Sequence, residues 1–271
     1  LFIFVFGLGV QGAAVATVLS QLLSASFVLL FLTKRAELRV RFLRKAEFSQ
    51  CSGYAKNIVS LGTSGFVMQL TNSLVTICCN NVLSVTGGDI YISVMTIISS
   101  VRQLVETPIY ALTEGTSPIL SYNYGAKNRD RVKKAFRLLL TASLCYSTIL
   151  WAFIMLFPQV FAVMFTSDSA LLGFTKSALR IYCACLLLFG IQIACQMAFT
   201  SFGKAKASIA VAVTRKFILL LPLIYLLPHI LTGNKTNAVY MAEPIADFLA
   251  VSFTTVLFTF QFRKVLKELE G

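Results

Sequence analysis

Charged residues are scarce in this sequence, and acidic residues are the scarcest of them. Asp, Glu, Lys and Arg make up 13% of the 271 residues, with 11 acidic residues against 24 basic ones. A soluble globular domain carries about 25% charged residues, so this composition excludes an ordinary soluble protein. Membrane-spanning helices need roughly 20 mostly apolar residues. Runs without charge that approach or exceed this length lie at 1–33, 57–88, 138–167, 181–203 and 217–234.

Residues that could build a catalytic or metal site are also few. The chain has one His and 7 Cys, and no Cys stands at metal-ligand spacing from the histidine. Most of the cysteines lie inside apolar segments, as is typical of free packing thiols. Because no nucleophile–base set or phosphate-binding loop is present either, the sequence predicts neither an enzyme nor a protein that needs a cofactor or a metal.

The excess of basic residues follows the ends of the apolar runs. Of the 24 Lys and Arg residues, 20 lie in the segments 34–56, 127–137, 204–216 and 263–267. Such a bias marks cytoplasmic loops, which face anionic lipid, and it argues against a nucleic-acid partner. The sequence therefore predicts an all-α, multi-pass protein of the cytoplasmic membrane with its C-terminus in the cytoplasm.

The order of apolar runs and basic segments predicts a two-lobed organisation. We expect 1–33 to be the end of one lobe, 34–52 a basic cytoplasmic linker, 53–262 a lobe of six helices and 263–271 a cytoplasmic tail. The chain opens within a hydrophobic run and without Met, which predicts that most of the first lobe is missing from this sequence. Residues 16–27 and 242–253 share a weak repeat, and repeated halves are common in transporters.

Polar residues recur at helical spacing on three of the predicted helices. Residues three or four apart share one face of a helix, so each set forms a stripe. Lipid offers no partners to polar groups, so the stripes should line a cavity or bond to each other across helices. The candidate binding residues on these stripes are Gln69 and Asn72, then Gln103, Glu106 and Tyr110, then Gln192 and Gln196.

Charges inside the apolar segments are the strongest functional candidates, because charge within a membrane is costly. Arg102 precedes Glu106 by four residues, and the two could form a structural ion pair. Alternatively, Glu106 could exchange a proton for a cationic substrate. Glu243 and Asp247 also stand four apart, in the outer half of the last helix. They could form an interfacial pair open to water, or a pair that faces a cation or shares a proton.

Three segments carry a family resemblance. The run GVQGAAVAT at 9–17, the run SPILSYNYGAKN at 117–128 and the run AEPIAD at 242–247 resemble parts of the MATE (multidrug and toxic compound extrusion) transporters. The likeness is greatest to their bacterial DinF/MepA-like branch. It implies twelve helices in two six-helix lobes and cation-coupled export of amphipathic organic cations. This chain would hold the second lobe and the last one to two helices of the first lobe.

The resemblance also bears on the coupling ion. Some MATE members carry acidic residues in the seventh and tenth helices that form a cation site. Here the corresponding segments carry Gln69 and Asn72, and Gln192 and Gln196. We therefore expect a proton rather than sodium as the coupling ion, with an acidic residue of the first lobe taking part.

Two other functions are compatible with parts of the sequence. A lipid-linked saccharide flippase of the same superfamily would present cationic residues to a pyrophosphate. A seven-helix receptor is a candidate from another class, and the long basic linker and the repeat argue against it. The buried charges counted from the sequence favour cationic cargo, since Arg102 stands against four acids, namely Glu106, Glu114, Glu243 and Asp247.

Overall fold

The computed structural model describes residues 7–35, 45–166, 168–231 and 235–269, together with Phe2 and Val5. Every regular element within these ranges is a helix, which confirms the predicted all-α class. The α-helices are α1 Gly9–Leu30, α2 Lys45–Gly87, α3 Asp89–Gly125, α4 Arg129–Leu156, α5 Pro158–Val163, α6 Ser169–Tyr182, α7 Phe189–Ser201, α8 Ala205–Val213, α9 Leu221–Ile230 and α10 Lys235–Glu268.

Three short helical segments of other pitch join or extend these helices. A π turn over Phe31–Arg35 continues α1, and a 3-10 turn over Leu186–Leu188 precedes α7. A second π turn over Thr214–Leu220 connects α8 to α9 without a break. The chain from Ala205 to Ile230 is therefore continuously helical, with one wide turn inside it.

The chain divides into two compact units, Leu1–Val59 and Ser60–Gly271. The first contains α1, which with its π turn is 27 residues long and apolar enough to span a membrane. Residues 36–44 of the predicted basic linker at 34–52 lie outside the described residues. The boundary at 52 stays a prediction.

The second unit contains the rest of the membrane-capable helices. The helices α4, α8–α9 and α10 are each long and apolar enough to cross a bilayer, and the bent pair α6–α7 passes the same test as one unit. The 37-residue helix α3 carries Arg102, Glu106 and Glu114 within its length. At about 1.5 Å per residue it is also long enough to cross. Two apolar clusters fill the unit, and α3 and α10 contribute side chains to both.

The charge-free run at 181–203 does not form one unbroken helix. Between Tyr182 and Phe189 the chain leaves the α-helix, and α6 and α7 meet at 48°. The carbonyl groups freed there find donors on α4: Trp151 Nε1 donates to the carbonyl of Ala184 and Ser147 Oγ to that of Leu187, both at 2.8 Å. Such outside donors allow a membrane helix to break.

Candidate binding site

Six charged side chains of the second unit form one buried ion-pair cluster. They come from three elements that are distant in sequence: α3, the π turn at 214–220 and α10. Four of them are less than 10% exposed, which is rare for ionised residues unless they are paired. The members are Arg102, Glu106, Arg215, Lys216, Glu243 and Asp247.

Arg102 joins α3 to α10. Its Nε donates to Glu106 Oε1 on its own helix, as the spacing of four residues predicted. Its Nη1 lies 3.0 Å from Glu243 Oε1, and its Nη2 donates to Asp247 Oδ2 at 3.0 Å. One guanidinium therefore pairs with three carboxylates. The planar fork of Arg suits such multiple recognition.

Arg215 makes the matching connection from the π turn to α10. Its Nε donates to Asp247 Oδ1 at 2.7 Å and its Nη2 to Glu243 Oε1 at 3.0 Å. Lys216 reaches the same Glu243 oxygen only loosely, with Nζ 3.6 Å away. The two carboxylates of α10 thus hold both arginines, and Lys216 is the least tightly bound cation of the cluster.

Aromatic rings of the interrupted helix cover the two guanidiniums. The Arg102 and Arg215 carbons Cζ each lie 5.2 Å from the centre of the Phe189 ring. Arg102 also lies 5.4 Å from the Tyr182 ring. These distances allow cation–π attraction, which is stronger where water is excluded. Tyr182 ends α6 and Phe189 begins α7, so the break presents one ring from each side to the arginines.

The cluster corrects the charge balance expected from the sequence. Arg215 and Lys216 were assigned to a cytoplasmic loop at 204–216, but the chain is helical from Ala205. At formal charge the cluster holds three cations and three anions. Glu114 is exposed and stands outside it. The expected arrangement of one arginine against four buried acids is therefore wrong.

Glu243 and Asp247 are buried next to cations. Their side chains are 6% and 4% exposed, and both pair with arginines. An acidic pair open to water is thus not the observed arrangement; the two carboxylates face cations, as the other alternative held.

A cavity of about 500 Å³ lies against this cluster. Its volume is within the range of small-molecule sites. The polar stripe of α2 meets that of α3 here, because Asn72 and Gln103 both line the space. The charged residues on its wall are Arg102, Glu106, Arg215, Lys216 and Glu243, and Tyr110 and Tyr182 add two rings.

A second cavity, of about 60 Å³, adjoins the first. Four residues line both spaces and so form the wall between them: Asn72, Tyr110, Arg215 and Lys216. Gln196 of α7 lines only the smaller cavity. The polar faces predicted on three helices thus converge at this pair of cavities.

Three of the candidate residues stand apart from both cavities. Gln69 is exposed, Gln192 is 1% exposed, and Asp247 lies behind the cavity wall, where it holds the two arginines. Both polar atoms of the Gln192 side chain lack a hydrogen-bond partner among the described residues. The structure adds Arg215 and Lys216, which sequence reasoning missed. The feature that could have pointed to both residues is their position about ten residues after the start of the helix at Ala205.

The chain is similar to known membrane transporters. A family model described as MatE matches residues 65–226, more than half of the chain. The multidrug export protein MepA of Staphylococcus haemolyticus is 22% identical over 253 residues, covering 92% of this chain and 55% of that protein. The FAD transporter of Shewanella oneidensis is 26% identical over 259 residues, covering 90% and 54%. This chain thus spans about half the length of these relatives.

The chain is also similar to a solved transporter structure. It is the outward-facing conformation of a multidrug resistance MATE family transporter of the MOP superfamily, with a TM-score of 0.84 and 25% identity. The match covers 98% of this chain and 59% of the other. The helical arrangement described above is therefore that of MATE transporters.

Proposed function

Because this chain belongs to the MatE family of multi-pass membrane transporters, we propose that it is the second-lobe part of an exporter of amphipathic organic cations. Its work would be to bind such cations in the larger cavity and release them outside the cytoplasmic membrane, with its C-terminus in the cytoplasm. The relative named multidrug export protein supports this proposal. The receptor considered from the sequence is set aside, since the family is one of transporters.

The observation that carries the proposal is the pair of carboxylates on the cavity wall. Glu106 and Glu243 both line the larger cavity, where each is held through Oε1 by the cations described above. Tyr110 and Tyr182 supply aromatic faces beside them. Carboxylate oxygens with neighbouring rings attract an organic ammonium group.

We propose that the exchanged ion is a proton. A carboxylate can hold either a proton or a cation, and proton uptake at Glu106 would release a bound cationic substrate. An acidic residue of a first lobe would complete the coupling. The amides at Gln69, Asn72, Gln192 and Gln196 stand where a sodium site would need acids, which supports the proton over sodium.

The direct test is Glu106→Gln, which keeps the shape of the side chain and removes its charge. In everted membrane vesicles we expect proton-driven uptake of ethidium to fall at least about tenfold, the effect of losing one charge-assisted contact. Glu114→Gln, on the same helix and exposed, is the matched control and should transport normally. Transport by Glu106→Gln at the wild-type rate from pH 6 to pH 8 would refute the role of Glu106.

A second candidate function is export of an anionic molecule. Two observations favour it: Arg215 and Lys216 face the cavity, and one relative is named an FAD transporter. This candidate function includes the lipid-linked saccharide flippase considered from the sequence, which was expected to present cations to the cavity. Paired uptake assays with ethidium and with FAD in the same vesicles separate the candidates. Uptake of FAD alone would replace the cation proposal.

A further inference from the structure

The two adjoining cavities differ in the charge of their walls. The larger one is lined by carboxylates as well as cations, with Glu106 and Glu243 on its surface. Among the described residues, the smaller one is lined by two cations and by no carboxylate. Its other polar lining residues are neutral: Thr71, Asn72, Tyr110 and Gln196.

The two cations of the smaller cavity retain hydrogen-bonding capacity. Arg215 uses Nε and Nη2 in its ion pairs, and Nη1 takes no part in them. Lys216 Nζ stands 3.6 Å from Glu243 Oε1, beyond hydrogen-bonding distance. An ammonium group carries three donors, so Lys216 can bond to a further acceptor while it stays near Glu243.

The π turn over Thr214–Leu220 explains how Arg215 and Lys216 can both line the smaller cavity. In an α-helix, adjacent side chains point about 100° apart, since one turn takes 3.6 residues. A π turn holds more residues per turn, so neighbours diverge less. Arg215 and Lys216 lie in the π turn and line the same two cavities. Such turns occur frequently at functional sites.

The size of the smaller cavity limits what it can hold. Its volume is about 60 Å³, a few times the roughly 10–15 Å³ that one water molecule needs by the same measure and well below the roughly 300–1,000 Å³ of drug-sized sites. Chloride or a single carboxylate group fits such a space, whereas a drug-sized molecule does not. The shared wall of Asn72 and Tyr110 places an occupant next to the larger cavity.

We propose that the smaller cavity is an anion subsite, in which Arg215 and Lys216 hold either a free small anion or an acidic group carried by the transported molecule. Binding of a free anion does not depend on the proposed function. Binding of an acidic group of the substrate does rest on the proposed function, because the rest of that molecule would occupy the larger cavity.

The free anion is tested by thermal unfolding of the purified protein in detergent. Sodium methanesulfonate, whose anion carries no carboxylate, is replaced stepwise by sodium chloride at constant ionic strength and pH. A ligand that binds only the folded state raises the Tm in a saturable way. We expect a saturable rise in the wild type, and a half-saturating chloride concentration at least about tenfold higher in Lys216→Gln.

Two further variants separate the site from general effects. Lys133→Gln removes an exposed cation on α4 and should keep the wild-type response. Ala212→Leu places a larger side chain in the smaller cavity without altering a charge, and should abolish the response. It also provides the test if Lys216→Gln does not fold. An identical chloride response in Ala212→Leu and the wild type would overturn the free-anion form.

The acidic group is tested by binding of rhodamine B, which carries a carboxylate, and of its ethyl ester, which does not. If the substrate supplies the anion, the wild type binds the acid several-fold more tightly than the ester, and Ala212→Leu loses this preference. Equal binding of the two dyes together with no chloride response would overturn the proposal. Transport of the ester in that case would leave the proposed function standing. A chloride response without transport of either dye would support the subsite and contradict the function.

Discussion

Replacing Asp247 with alanine is expected to destabilise the protein by about 3–5 kcal/mol, the usual cost of removing one partner from a buried ion pair. Asp247 accepts from Arg102 at 3.0 Å and from Arg215 at 2.7 Å, and it is 3% exposed. Its loss would leave the buried cluster with an unbalanced positive charge. The free energy of unfolding in mixed micelles, measured against denaturant, gives the comparison.

The matched control is Glu268→Ala, which removes a carboxylate from a pair at the surface. Glu268 lies 3.3 Å from Lys204, and their side chains are 39% and 30% exposed. Exposed pairs contribute about 0–1 kcal/mol, because water and salt screen them. If both variants lose the same stability within about 1 kcal/mol, Asp247 does not hold the two arginines as described.

Phe189→Ala is expected to cost a similar amount, about 3–5 kcal/mol, as do other large-to-small changes at buried aromatic residues. Phe189 is 1% exposed, and the centre of its ring lies 5.2 Å from Cζ of both Arg102 and Arg215. The variant would lose both the packing and the cation–π attraction. We expect it to weaken ethidium binding as well, because Arg102 and Arg215 lose the ring that positions them.

Phe189→Leu separates the two contributions, since it keeps most of the apolar volume and removes the ring. We expect it to recover most of the stability, with a remaining loss of about 0.5–2 kcal/mol from the cation–π contacts. Unfolding measurements on both variants under the same conditions decide this. Equal losses in the two variants would show that packing volume contributes little at this position.

The contacts that could be predicted from the sequence are those set by helical spacing. Arg102 and Glu106 stand four apart and do pair, and Glu243 and Asp247 stand four apart and do share a face. The stripes of α2 and α3 meet at the larger cavity, which Asn72 and Gln103 both line. An apolar bundle offers such polar side chains few other partners. Periodicity therefore predicts which side chains share a face, and the cost of burying polar groups predicts that such faces meet.

The position of Arg215 and Lys216 could not be predicted in the same way. Basic residues near the end of an apolar run usually mark the cytoplasmic side, and the segment 204–216 also contains Lys204 and Lys206, which fit that pattern. No residue pattern in the local sequence predicts the π turn at 214–220. Only the carboxylates of α10, some 30 residues later, show why two cations are tolerated inside the helix.

The interruption between α6 and α7 has a similar origin. The segment 183–188 contains neither glycine nor proline, so no residue type announces a break. Its stability depends on Ser147 and Trp151, which lie more than 30 residues away on α4. Local propensity does not contain this information, because the donors belong to another helix.

The equal numbers of positive and negative side chains in the cluster have an electrical consequence. The membrane potential acts on net charge, at about 2.3 kcal/mol per elementary charge per 100 mV. Three cations and three anions that move together carry no net charge across the field. Voltage would then exert no net force on the cluster when α3, the π turn and α10 move together, and would act on the ions bound in the cavities. Exchange of one proton for one monovalent cation would be electroneutral, driven by the pH gradient alone.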